Sequence, residues 1–197
     1  MPPADRQPQP ADHQLPPADH PPPPPFERAA LRRLVRQVPD FPTAGVLFAD
    51  ITPLLADAGA YRHVIEQLIR PYRGRVDQVA AIEARGFILG APAALALGAG
   101  FVPLRKAGKL PSATVTADYL LEYGSATLEM HADALGSGHR VLVVDDVIAT
   151  GGTAQAAVDL IRSTGAEVVA VAALLEIPGL GGIRLLQQHV GVHLVLD

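Results

Sequence analysis

Asp145 and Asp146 are adjacent carboxylates at the end of an unbroken apolar run, Val141-Leu142-Val143-Val144. Directly behind them come Val147-Ile148-Ala149-Thr150-Gly151-Gly152-Thr153 and then an amphipathic stretch. This order predicts a buried strand, a tight loop and the first turn of a helix. Backbone N–H groups at a helix start lack partners within the helix and carry partial positive charge, so they suit a phosphate. Gly151 and Gly152 let the backbone wrap closely around an anion, and the Thr150 and Thr153 hydroxyls add donors. Two carboxylates beside a phosphate grip repel the phosphate unless they serve something else. Sugar hydroxyls or a Mg²⁺ ion would use them. A solvated Asp pair followed by a Thr cap and a Gly turn is the plainer alternative.

Four more groups could carry chemistry. Glu83-Ala84-Arg85-Gly86 sets a cation beside a glycine where an anion could approach the backbone; a salt bridge from Glu83 to another side chain competes with that reading. Arg105, Lys106 and Lys109 bring three cations within five residues, which suits a departing polyanion or an ordinary solvated turn. Glu122, in Leu121-Glu122-Tyr123-Gly124, is a lone carboxylate at a hairpin tip and by itself reads as solvated. Phe48, in Leu47-Phe48-Ala49-Asp50, offers a ring face to a flat ligand or belongs to the core. The chain lacks Gly-x-x-x-x-Gly-Lys-Ser/Thr, and no Gly-x-Gly-x-x-Gly stands at a strand–helix junction. The seven histidines have no metal-ligand spacing and read as structural or surface residues. Glu176-Ile177-Pro178-Gly179 leads into a Gly-rich turn ending at Gly182, to which the sequence assigns no role.

The elements that must position these groups follow from periodicity. Helices are expected over residues 26–38, 60–72, 87–97 and 152–163. Short strands are expected over 78–83, 100–104, 140–144 and 167–175, with a hairpin of 114–121 and 126–130. Apolar strands alternating with helices predict an α/β fold: a mainly parallel central sheet with helices on both faces. Ligands of such sheets bind beyond the carboxyl ends of the strands, where most of these groups fall.

The 197 residues suffice for one domain. Lys plus Arg is 16 against 20 Asp plus Glu, a net charge of -4, and Trp is absent. No nucleic-acid or membrane partner is therefore expected. The absence of cysteine removes disulfides, thiolate-bound zinc and thiol nucleophiles. Residues 1–25 hold 11 of the 19 prolines and little apolar side chain, so they read as a disordered tail, leaving 26–197 as the folded domain. That tail has no apolar h-region, and a cytoplasmic location is expected.

Residues Val143 to Thr153 resemble the loop that binds 5-phospho-α-D-ribose 1-diphosphate (PRPP) in type I phosphoribosyltransferases. Asp40-Phe41-Pro42-Thr43-Ala44-Gly45-Val46-Leu47-Phe48-Ala49-Asp50-Ile51, Glu83-Ala84-Arg85-Gly86-Phe87, Arg105-Lys106-Ala107-Gly108-Lys109-Leu110-Pro111 and Leu121-Glu122-Tyr123-Gly124 are similar to segments of the adenine branch. The resemblance implies that fold with a flexible β-hairpin lid, and transfer of ribose 5-phosphate from PRPP to adenine. It assigns Asp145, Asp146, Ala149, Thr150, Gly151, Gly152 and Thr153 to PRPP. Glu83, Ala84, Arg85, Arg105, Lys106 and Lys109 go to pyrophosphate, and Leu47, Phe48 and Ala49 to adenine. Glu122 becomes the catalytic residue handling a purine proton, with Tyr123 packing in the closed lid. Mg²⁺ would enter with PRPP rather than through direct protein ligands, and a homodimer is implied. Many relatives have Arg where this chain has Ala49, so a side-chain role there is lost while backbone recognition survives. Family members that sense PRPP as regulators carry an added DNA-binding domain, and the lack of a basic surface and of a helix-turn-helix segment speaks against that reading here; sister enzymes use other nucleobases, and the motifs of Phe41 to Ile51 and Glu122 favour adenine over them.

Overall fold

The computed structural model describes residues 26–120 and 125–197. The tail over 1–25 and the hairpin tip, with Glu122 and Tyr123, lie outside the described residues. The first helix, α1 (Arg28–Arg33), is shorter than its periodicity suggested, and β1 (Arg36–Pro39) follows it. Val38 precedes Pro39, which disfavours helical backbone at Val38, and the segment pairs antiparallel with β2 (Leu47–Asp50) instead. After β2 come α2 (Thr52–Ala56), α3 (Ala58–Ile69), β3 (Gln78–Ile82), α4 (Arg85–Leu97) and β4 (Gly100–Lys106). Then follow β5 (Thr114–Leu120), β6 (Ser125–His131), β7 (Arg140–Val144), β8 (Val147–Ile148) and α5 (Gly152–Ser163). The chain closes with β9 (Glu167–Ala173), β10 (Leu175–Glu176), α6 (Gly182–Leu186) and β11 (Val192–Leu194).

Seven strands form one sheet in the order β11-β9-β7-β3-β4-β6-β5. The first five run parallel, and β6 and β5 join antiparallel as a hairpin. Alternate residues of a strand face opposite sides, and here both sides are covered. Val79, Ala81, Leu142 and Val144 pack with α1 to α4. Ala80, Ile82, Val141 and Val143 pack with α5 and α6. The central strands thus consist of apolar runs, with polar groups displaced to their ends.

The long strand expected over 167–175 breaks at Leu174, whose N–H donates to the Asp146 carbonyl (3.0 Å). Leu175 and Glu176 then pair with Val147 and Ile148. The chain after β9 is therefore bound to the segment that follows the Asp pair. That connection is non-local and has no periodicity to announce it.

Candidate active site

The β7 strand ends in the core, so it delivers Asp145 and Asp146 to the carboxyl edge of the sheet with little freedom. Asp146 is only 3% exposed. Arg85, the first residue of α4, sets its Nε 2.8 Å from Asp146 Oδ2. That N–H is not aimed at the oxygen, and Oδ2 has no hydrogen-bond partner among the described residues. Burial pushes the Asp145 carboxyl well up, and the neighbouring Asp146 charge adds to this. Burial also raises Asp146, against the opposing pull of Arg85. The pair therefore titrates as a unit, its second charge costly until a positive or donor group arrives.

Residues Val147 to Ala154 curl behind the pair around a hollow of about 80 Å³. Gly151 caps the start of α5 in the left-handed region, φ 84°, and its carbonyl accepts from Gln155 N (2.8 Å). The hollow is lined by Ala149, Thr150, Gly151 and Thr153 at that helix start, where backbone amides lack partners within the helix and suit an anion. Gly86 allows α4 to lie directly against β7, since a Cβ there would stand 2.9 Å from the Val144 carbonyl oxygen.

Arg85 links this loop to β2. Its guanidinium carbon lies 4.7 Å from the centre of the Phe48 ring, a cation–π distance. Phe41 meets Phe48 edge-on at 5.1 Å. The three residues adjacent in β2 separate: Phe48 faces Arg85, Leu47 lines a different hollow with Glu176, Ile177 and Pro178, and Ala49 turns into the core at 4% exposure. The Ala49 side chain thus presents nothing to a ligand. Asp50 accepts from Thr52 N (2.9 Å), which holds its carboxyl below the usual range, with Arg36 and Arg85 contributing.

The cationic segment is held by two carboxylates. Arg105 reaches both Glu83 oxygens (3.1 and 3.3 Å), and Lys106 N donates to the same carboxylate (3.1 Å). Arg105 foremost holds the Glu83 carboxyl below its ordinary value. The salt-bridge alternative for Glu83 is thus present. Glu129 is the residue that sequence reasoning missed. It is 4% exposed and accepts from the backbone of Lys109 and Leu110 at 2.8 Å each. Burial alone would raise it, but the amides of Leu110, Lys109 and Gly108 outweigh burial and keep it low. It sits in an alternating strand between Leu128 and Met130, where a polar residue reads as solvated; only the fold over it shows otherwise. Among the described residues no cluster of three or more His, Asp or Glu could hold a metal ion.

The structure thus brings Phe48, Arg85, Asp145, Asp146 and the 147–153 loop to one strand edge, joined through Arg85. Glu83, Arg105 and Lys106 form a second group, and Lys109 follows through its backbone. The Phosphoribosyl transferase domain family matches residues 50–180. The adenine phosphoribosyltransferase of Methylobacterium nodulans is 54% identical over 160 residues, 81% of this chain and 88% of that protein. The crystal structure of adenine phosphoribosyltransferase from Rhodothermus marinus matches with TM-score 0.82 and 50% identity, covering 85% of this chain and 96% of that one. The Saccharomyces cerevisiae enzyme, solved with a bisphosphate imino-altritol and adenine, matches with TM-score 0.80 and 36% identity over 86% of this chain and 98% of that one. With its fold and its sequence both alike, the chain belongs to the adenine phosphoribosyltransferase family.

Proposed function

We propose that this protein is a pentosyltransferase of purine salvage that converts adenine and PRPP to AMP and diphosphate. The observation that carries the reading is the buried Asp146 oxygen without a hydrogen-bond donor, beside a helix-start hollow and under Arg85. A ribose hydroxyl would supply the missing donor while its 5-phosphate fills the hollow. Asp145 and Asp146 hold the sugar hydroxyls, and the backbone from Ala149 to Thr153, with the Thr150 and Thr153 hydroxyls, binds the 5-phosphate. Arg85, Arg105, Lys106 and Lys109 stabilise the diphosphate as it leaves, with Glu83 and Ala84 shaping that loop.

In the transfer the C1–O bond to diphosphate breaks as the bond from C1 to the adenine nitrogen forms. Positive charge develops on the sugar, and the Asp pair lies close enough to favour it. Adenine lies against the Phe48 ring, read through the backbone of Leu47 and Ala49, and Glu122 takes the proton released from the base. Closure of the β5–β6 hairpin, with Tyr123, excludes water that would hydrolyse PRPP. Mg²⁺ would fit this site as a partner of PRPP, held mainly by the ligand's own oxygens and water, near the Asp146 oxygen that lacks a hydrogen-bond donor. Bound there, it would neutralise diphosphate charge.

A homodimer belongs to the proposal, since α4 and β4 expose Ile88, Leu95 and Phe101, an apolar face suited to a second copy. So does a cytoplasmic setting, because multiply charged PRPP does not cross a bilayer unaided. No described helix is long and apolar enough to cross a membrane. The test is a base panel with PRPP and Mg²⁺, detecting the nucleotide formed. Adenine should exceed hypoxanthine, guanine and orotate by ~10⁴-fold, since a site that pairs an exocyclic amine leaves groups unpaired against a carbonyl. Comparable turnover of hypoxanthine would refute the assignment.

A further inference from the structure

The segment from Leu175 to Ile183 follows the 147–151 loop along its length. Leu175 and Glu176 pair in parallel with Val147 and Ile148, and Ile177 N donates to the Ile148 carbonyl (2.8 Å). The chain then turns through Gly181, φ 73°, into α6. There two glycines face each other without side chains between them. A Cβ on Gly182 would stand 2.2 Å from the Ala149 carbonyl oxygen and 2.8 Å from Gly151 N; one on Gly151 would stand 2.8 Å from the Gly182 carbonyl oxygen. Ordinary contact begins at 3.4 Å, so any side chain at 182 drives the loop back by more than an ångström. Glu176 fixes the approach, accepting from Ile183 N through Oε1 (3.2 Å).

We infer that Gly182 and Glu176 are positioning residues for the phosphate-binding loop: the backbone of 181–183, tied down by Glu176, is the rear wall that sets where Ala149 to Thr153 present their donors. Neither is assigned a substrate contact in the reading above. The inference rests on the reading that this loop holds the 5-phosphate of PRPP. Its consequence is selective. Moving the wall displaces the phosphate grip while leaving Phe48, the base contact, where it is, so the effect falls on one substrate. A displacement of this size near a reacting group costs roughly 10–10²-fold.

The experiment is a steady-state comparison of Gly182→Ala, Glu176→Ala, Glu176→Gln and the loop variant Thr153→Val in the full chain, with melting curves. Gly182→Ala should raise KM for PRPP by roughly 10–10²-fold and weaken AMP binding alongside, with KM for adenine within about twofold of wild type. Glu176→Ala should shift KM for PRPP in the same direction, and Glu176→Gln, which keeps an accepting oxygen, should restore it. A folded Gly182→Ala protein with unchanged KM for PRPP, or with equal losses for both substrates, overturns the inference. If Gly182→Ala does not fold, the Glu176 pair decides: no effect of Glu176→Ala, or no rescue by Gln, overturns it. Thr153→Val separates the two readings. A raised KM for PRPP there with none in Gly182→Ala sinks the wall alone, whereas no effect in either sinks the phosphate loop as well.

Discussion

The 145–153 loop and the β2 strand sit on either side of Arg85, and they are built differently. The loop is enclosed by backbone: α4 presses on β7 through Gly86, and α6 presses on Gly151 through Gly182. Its carboxylates emerge from a core strand whose last residue, Val144, is wholly buried. β2 belongs to a two-stranded ladder outside the main sheet. Its region is held by side-chain contacts, Phe41 on Phe48 and Arg85 over the ring, while Leu47 and Phe41 stay about half exposed (51% and 50%). A fixed grip suits the sugar and phosphate, where charge develops and reorganisation would be costly. An adjustable, ring-lined surface suits a flat base that must enter and leave.

If the two regions divide the work in this way, their variants should fail differently. The largest effect is expected from Asp145→Asn with Asp146→Asn. Losing charge-assisted contacts of ~1.5–3 kcal/mol each predicts a fall in kcat/KM of roughly 10²–10⁴-fold. The same variant should melt no earlier than wild type at neutral pH. Both carboxyls are raised in the fold, so their stabilising contribution is present below the unfolded value, 3.8, and is lost as pH rises through the folded one. Early melting would mean that the pair is structural.

Glu122→Gln comes next, with kcat lowered by ~10²-fold and PRPP affinity kept; a kcat within about twofold of wild type would leave Glu122 a solvated hairpin group. Phe48→Ala should raise KM for adenine by roughly tenfold, the worth of a ring contact of ~1.5 kcal/mol. PRPP affinity should weaken as pH falls through the raised value of the Asp pair, because the ligand binds the charged form. On the acid side of that titration, calorimetry in buffers of different ionisation enthalpy should detect proton release on binding, and buffer-independent heats there would contradict the raised carboxyls. The Asp77–Arg140 bridge gives an opposite, fold-level signature. Arg140 holds Asp77 down to about 2, so its contribution is present above 3.8 and is lost as pH falls through about 2. The smallest effect is expected from deleting residues 1–25, with kcat/KM within about twofold; a tenfold loss would move the domain boundary.

The same contrast explains what the sequence revealed. The 145–153 loop is contiguous, a buried strand running into a glycine turn and a helix, so periodicity and composition expose it. The core strands and α5 are legible for the same reason. Val38 misled because it extends the helical period of Leu31, Leu34 and Val35 yet pairs with Phe48 across a loop. Glu129 and Gly182 were opaque because their roles depend on backbone brought from 19 or more residues away. Ala49 was opaque for a related reason: its neighbours in the motif face outward, but its own side chain lies in the core at 4% exposure.

The most direct test of the division is calorimetry of PRPP with Mg²⁺ against two folded variants, Asp145→Asn with Asp146→Asn, and Phe48→Ala. The carboxylate variant should lose at least roughly 10²-fold in affinity, and Phe48→Ala should stay within about threefold of wild type, the worth of its exposed contact with Arg85. Wild-type affinity in the folded carboxylate variant, or an equal loss in both, would contradict the account.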